Sequence, residues 1–184
     1  MALFDSKTVK MKNGETVVLR PASIQEAQAL LDCFVEFAAT SPYILTTAES
    51  ARAKTLDSQE KWIQASNEDP RNILIVAEHA EKIVGITNSM AYKDFKRFHR
   101  AGLGMTVRHE YRGQGLGEAL LALLIEHSRQ MPGLSTLELN VMAPNIPAHK
   151  LYQKFGFKEC GRYVKAYRLE SGEYVDDIMM HLPL

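Results

Sequence analysis

Between Val107 and Val141 the apolar spacing changes from strand-like to helical and back, and a turn with three glycines in five positions, Arg112-Gly-Gln-Gly-Leu-Gly117, marks the first change. A strand entering a helix through such a turn, and leaving it into a second strand, predicts a right-handed βαβ crossover with two parallel neighbours. Glycine permits positive φ or a close backbone approach, and the helix that follows places about half a positive charge at its N-terminus, with Arg112 as a further cation. The turn therefore suits an anion, a pyrophosphate above all, although glycines at a strand-to-helix junction also serve tight packing. Two nucleotide motifs fail here. A G-x-G-x-x-G needs glycine at Glu118 or Leu120, and no G-x-x-x-x-G-K-[ST] occurs anywhere in the chain.

The flanking sequence supplies the rest of an α/β (α+β) domain. Thr16 to Arg20 is a strand stopped by Pro21, and Ser23-Ile-Gln-Glu26 has the form of a capping box opening a helix whose apolar stripe is Ile24, Ala27, Leu31, Phe34 and Ala38. Asp57-Ser-Gln-Glu60 repeats the N-cap pattern before Lys61-Trp62-Ile63. The intervening Tyr43 to Thr55 has no period and reads as a substrate-facing loop. Asn72 to Glu78, Ile83 to Tyr92 and Arg100 to Val107 predict a three-stranded meander. Gly115 to Gln130 is helical, Thr136 to Val141 a strand, Asn145 to Phe155 a helix, and Phe157 to Leu169 with Glu173 to His181 a terminal hairpin. The sheet is thus mixed and mostly antiparallel, with about four helices around it.

Composition sets limits on partners. The chain has 184 residues, and 22 Lys plus Arg balance 22 Asp plus Glu, so no domain-wide field draws nucleic acid or an anionic membrane. The length fits one domain, with no linker or repeat to divide it. The longest apolar stretch, Ala119 to Ile125, is far short of a membrane span, and the start lacks a secretory pattern, which leads to the expectation of a cytoplasmic protein. Cys33 and Cys160 are expected as free thiols, and the six histidines show no metal-ligand spacing. Lys93 to Arg100 mixes four basic residues with Phe95 and Phe98 and reads as a solvated hairpin tip, with single-strand nucleic-acid contact as the competing reading.

The last motif is Asn145-Ile-Pro-Ala-His-Lys-Leu-Tyr152-Gln-Lys-Phe-Gly156-Phe157. Asn145 suits an N-cap and Gly156 a left-handed C-cap. Ala148, Leu151, Tyr152 and Phe155 share one apolar face, so Tyr152 points inward, as a core tyrosine also does. Taken together, Met105-Thr-Val107, R-x-x-G-x-G at Arg112 to Gly117 and N-x6-Y-x3-G-F at Asn145 to Phe157 resemble the GNAT superfamily of acetyl-CoA-dependent N-acetyltransferases.

The resemblance implies a single domain over 1–184: an acceptor-side part at 13–70, an acetyl-CoA-binding core at 72–157 and a C-terminal hairpin at 157–184. It implies a splayed parallel strand pair in which Met105, Thr106 and Val107 meet the pantetheine arm. It also implies that Arg112, Gly113, Gln114, Gly115, Leu116 and Gly117 hold the pyrophosphate, that Asn145 contacts the cofactor or orders its loop, and that Tyr152 lies beside the thioester sulfur as general acid. No metal is implied. Relatives acting on ribosomal-protein N-termini place a base where this chain has Asn140, which takes up no proton near neutrality. Glu138, on the same strand face, is the base candidate. Asp176 and Asp177 on the last strand are alternatives through water, and Glu110 is a weaker one. The expected partner is an amine acceptor, a small molecule or a protein N-terminus, and the terminal hairpin suits a homodimer. A non-catalytic acyl-CoA sensor is the competing function.

Overall fold

The computed structural model describes residues 4–184. Eight strands form one sheet in the order β1-β2-β3-β4-β5-β6-β8-β7. They are β1 (Lys7–Lys10), β2 (Thr16–Pro21), β3 (Ile73–His79), β4 (Lys82–Ala91), β5 (Arg100–Val107), β6 (Thr136–Met142), β7 (Lys158–Arg168) and β8 (Tyr174–Pro183). Five helices accompany them: α1 (Ala27–Thr40), α2 (Ala48–Arg52), α3 (Leu56–Glu68), α4 (Leu116–Ser128) and α5 (Ile146–Lys154). Every neighbouring pair of strands is antiparallel except β5 and β6, which run parallel. The mixed sheet and its parallel pair agree with the crossover read from the sequence.

β3 shows why the sheet sits at the centre. Its first five residues, Ile73-Leu-Ile-Val-Ala77, are all buried, as expected where both faces of a strand are covered and alternation is lost. Ile73, Ile75 and Ala77 join α4 and the apolar residues of β6 and β8 on one face. Leu74 and Val76 join Leu30, Cys33 and Phe37 of α1 and Ile63 of α3 on the other.

Several boundaries differ from the sequence reading. The buried face of α1 is Ala27, Leu30, Leu31, Cys33 and Phe37, while Ile24 is exposed. The two faces differ by a small rotation, which the contact with Leu74 and Ile86 decides. α3 is capped by Thr55, whose Oγ1 accepts the Ser58 N–H at 3.2 Å, so the helix begins before Asp57. The stretch expected to be loop contains α2, capped by Thr47. α2 raises the helix count from four to five. β1 was not expected; it pairs with β2 from Lys7↔Leu19 to Lys10↔Thr16.

The expected capping residue Glu26 does more than cap. It accepts the Ser23 N–H at 2.8 Å and pairs through both oxygens with Arg20, which also binds Glu78. One guanidinium thus ties β2 to β3 and to the entrance of α1. Burial opposes the charge on Glu26, but the Arg20 and Ser23 bonds outweigh it and lower its pKa. A lowered carboxylate pKa adds stability above the unfolded value and loses it as pH falls through the folded one. Arg20→Met is expected to cost about 2 kcal/mol at pH 7, with the difference from wild type shrinking below about pH 4. Urea unfolding at the two pH values checks this.

Candidate active site

β5 and β6 pair over only three residues, Arg100↔Thr136, Ala101↔Leu137 and Gly102↔Glu138. Beyond that point each strand is held by its outer neighbour, β5 by β4 as far as Gly85↔Val107, and β6 by β8 as far as Met142↔Asp177. The strands therefore separate toward their C-terminal ends. The gap between them is a cleft of about 560 Å³ lined by Leu103 to Val107, Asn140 to Met142 and the Arg112 to Glu118 turn. The inner edge of β5 past Gly102 has no strand partner, and its main-chain groups are available to an extended ligand.

The glycine turn forms one end. Gly113 and Gly115 have φ of 75° and 86°, and Gly115 is the N-cap of α4. At neither position would a Cβ meet an atom closer than 4.0 Å, so positive φ rather than crowding calls for glycine there. Gly117 is different. A Cβ would lie 3.3 Å from Leu151 and 3.7 Å from the Met105 methyl, so glycine lets α4 pack against α5 and β5. The turn and packing readings of the motif thus both hold, at different glycines. Arg112 donates from Nε to the Val107 carbonyl at 3.0 Å, which folds the turn back over the end of β5.

α5 forms the facing wall. The Asn145 side chain accepts the Ala148 N–H at 3.4 Å, and Asn145, Ala148, Leu151 and Tyr152 all line the cleft. Tyr152 is buried against Phe157, with ring centroids 5.7 Å apart. Burial alone pushes its phenol up to about 12, with no charged neighbour contributing.

The acidic candidates separate clearly. Glu138 is not in the cleft lining: it lies where β5 and β6 are still paired, its Oε1 accepts the Tyr92 hydroxyl at 2.5 Å, and its carboxylate pairs with Arg100. The strand alternation that put Glu138 on the face of Asn140 was sound, but the gap opens only after Glu138. Asp176 accepts the Lys165 N–H and the Arg162 guanidinium on β7, and Glu110 is exposed in a 3-10 turn; neither lines the cleft. Asp177 does line it. This residue is 2% exposed, one oxygen accepts the Asn140 amide, and the other, Oδ1, has no partner among the described residues. Burial, the Asp177 charge and a hydrogen-bonding approach of the Tyr167 hydroxyl to Asp177 together raise the pKa of the Tyr167 phenol.

Two proposed turn residues are placed differently. Leu116 is buried in the core, and Gln114 is outside the lining, its carbonyl accepting the Lys12 N–H at 3.1 Å. Through that bond Lys12, from the β1–β2 loop, joins the cleft beside Gly115. Nothing in the sequence marks Lys12, because its neighbourhood depends on a strand pairing too short to leave a pattern. Tyr43, Ile44 and Leu45 also line the cleft, in the stretch read as substrate-facing, as does Tyr167.

The acetyltransferase (GNAT) family model matches residues 31–157. The chain belongs to the GNAT family. It is 31% identical over 123 residues, 67% of this chain and 75% of the relative, to an L-amino acid N-acetyltransferase of Escherichia coli (strain K12). A GNAT-family acetyltransferase of Streptococcus pneumoniae superposes with a TM-score of 0.87 at 24% identity, over 91% of this chain and 99% of that one. A Salmonella typhimurium structure solved with its cofactor acetyl-CoA gives 0.79 at 19%, over 91% and 94%. This GNAT protein is an acetyl-CoA-dependent acyltransferase with an α/β fold. The residues present are compatible with that cosubstrate: an unpaired strand edge has the donors and acceptors to suit an amide-bearing extended arm, and a glycine turn beside Lys12 and Arg112 has the charge to suit phosphates. Among the described residues, no helix is long and apolar enough to cross a membrane.

The positive φ at the N-cap of α4 makes a direct test. Gly115→Ala is expected to destabilise the protein by about 1 kcal/mol and to weaken coenzyme A binding about tenfold. Thermal denaturation and calorimetric titration measure the two effects.

Proposed function

We propose that this acyltransferase moves acetyl from acetyl-CoA directly to a primary amine, with Tyr152 as the general acid and Asp177 as the proton acceptor. The observation that carries the reading is the pairing, in one cleft, of a phenol held protonated by burial with a buried carboxylate that keeps one oxygen unpartnered. The cosubstrate supplies an activated thioester. The chain's own groups then do the proton work.

An amine near 10 is almost wholly charged at neutral pH, so the ammonium must lose a proton before its nitrogen attacks. Asp177 Oδ1 accepts that proton, and the Asn140 amide on the other oxygen fixes the carboxylate's orientation. Main-chain N–H groups on the free edge of β5 stabilise the oxyanion that develops as the new C–N bond forms. As the C–S bond breaks, the Tyr152 hydroxyl protonates the departing sulfur, and the second proton, which the nitrogen sheds as the amide forms, returns Tyr152 to its neutral state, while Asp177 passes the first to solvent. A phenol near 12 is a weak acid in water, but the low polarity that raises it also disfavours a free thiolate, so the transfer stays close to balanced. No covalent enzyme intermediate is required, because the cleft contains no cysteine or serine beside a base.

Tyr152→Phe is expected to lower kcat by about a hundredfold or more while leaving coenzyme A affinity within a few-fold. Asp177→Asn is expected to lower kcat/KM by a similar order, with the loss falling as pH rises and the free amine becomes abundant. Because the Tyr152 proton is retained to about 12, kcat/KM for the wild type is expected to rise with pH and show no decline below about pH 10. Thiol release measured across pH 6 to about pH 10 checks these outcomes. An unchanged kcat in Tyr152→Phe refutes the acid assignment.

A further inference from the structure

We infer that the acceptor is a primary amine with a single positive charge and an uncharged, largely apolar remainder, and that free α-amino acids are poor substrates. The inference rests on the acetyl-transfer reading above and narrows its acceptor. Four charged side chains line the cleft: Lys12, Arg112, Glu118 and Asp177. Three are tied to the phosphate turn. Lys12 is bonded through its main chain to Gln114, Arg112 donates to the Val107 carbonyl, and Glu118 belongs to the first turn of α4, where it pairs with Lys154. Asp177 alone belongs to the strand wall, among Asn140, Tyr167 and the apolar residues of β6.

Asp177 has the features of half an ion pair. The side chain is almost fully buried, one carboxylate oxygen is satisfied by Asn140, and Oδ1 has no partner at hydrogen-bond distance among the described residues, with the Tyr167 phenol the one donor that approaches the group. A buried carboxylate oxygen without a donor is costly, and a cationic N–H is its strongest complement. The acceptor's ammonium supplies one. What surrounds the rest of the acceptor is uncharged and largely apolar or phenolic: Ser41, Tyr43, Ile44 and Leu45 on the α1–α2 connection and Leu103 on β5. Leu45 is 68% exposed at this opening, an apolar side chain left in water unless a substituent covers it.

The charge balance excludes a second group. In an α-amino acid the carboxylate sits within about 4 Å of the amine nitrogen, so seating the amine at Asp177 brings two carboxylates together in a desolvated place. Among the described residues no lysine, arginine or histidine other than Lys12 and Arg112 lines the cleft, and those two lie at the turn assigned to the coenzyme's phosphates. Selectivity here differs from that named for the Escherichia coli relative, an L-amino acid N-acetyltransferase.

The test compares matched acceptors that differ only in the carboxyl group: phenethylamine, L-phenylalaninamide and L-phenylalanine, then isoamylamine and L-leucine, with thiol release as the readout. Each simple amine is expected to exceed its amino acid in kcat/KM by at least about a hundredfold, with the amide closer to the amine. L-Amino acids used as well as or better than the amines overturn the inference while leaving the acetyl-transfer reading intact. A tenfold preference for an alanine-initiated peptide amide over phenethylamine also overturns it, in favour of a polypeptide N-terminus. Protein that is thermally stabilised by coenzyme A yet releases thiol with none of these acceptors overturns the inference together with the mechanism.

Discussion

The site depends on a sheet that is prevented from closing. A parallel pair gains a ladder bond with each residue it adds, and β5 and β6 give this up after Gly102 and Glu138. They can do so because each is fully paired on its other side, β5 with β4 and β6 with β8. The gap is therefore a property of the whole eight-stranded arrangement rather than of the two strands that border it. Main-chain groups that would otherwise satisfy each other are kept for a guest.

Two ionisable groups on opposite walls of this gap occupy contrasting surroundings. Tyr152 lies on an apolar helix face against Phe157, where charge of either sign is disfavoured and the hydroxyl keeps its proton. Asp177 is also buried, but on a strand wall that supplies an amide and a phenol. One wall of the gap thus presents a buried hydroxyl and the other a buried carboxyl group. Glu138 shows the contrary case. It carries the same kind of group two residues from Asn140, yet Arg100 and Tyr92 use both its charge and its lone pairs in holding the closed part of the strand pair.

Motifs with a local cause were legible. Glycines at Gly113, Gly115 and Gly156 with positive φ, the Asn145 cap and the apolar face of α5 follow from short-range geometry that neighbouring residues enforce. The run of β3 was legible because burial on both faces removes polar residues from its first five positions. What escaped was set by tertiary contact. The exact face of α1 was chosen by Leu74 and Ile86, and α2 is too short to show a period. The choice among Glu138, Asp176 and Asp177 depends on where the gap begins and on which partners β7 offers, and neither is written within β6 or β8. Lys12 was invisible for the same reason, since its place is fixed by a bond to Gln114 across the molecule.

That bond has a consequence for how the molecule assembles. Lys12 and Gln114 are distant along the chain, so this single bond closes a long loop, whose entropy cost the rest of the sheet must offset. The glycine-turn end of the cleft is thus tied to the β1–β2 hairpin by one main-chain bond. A guest seated against both Lys12 and the turn would bridge the outermost hairpin of the sheet and the crossover at its centre.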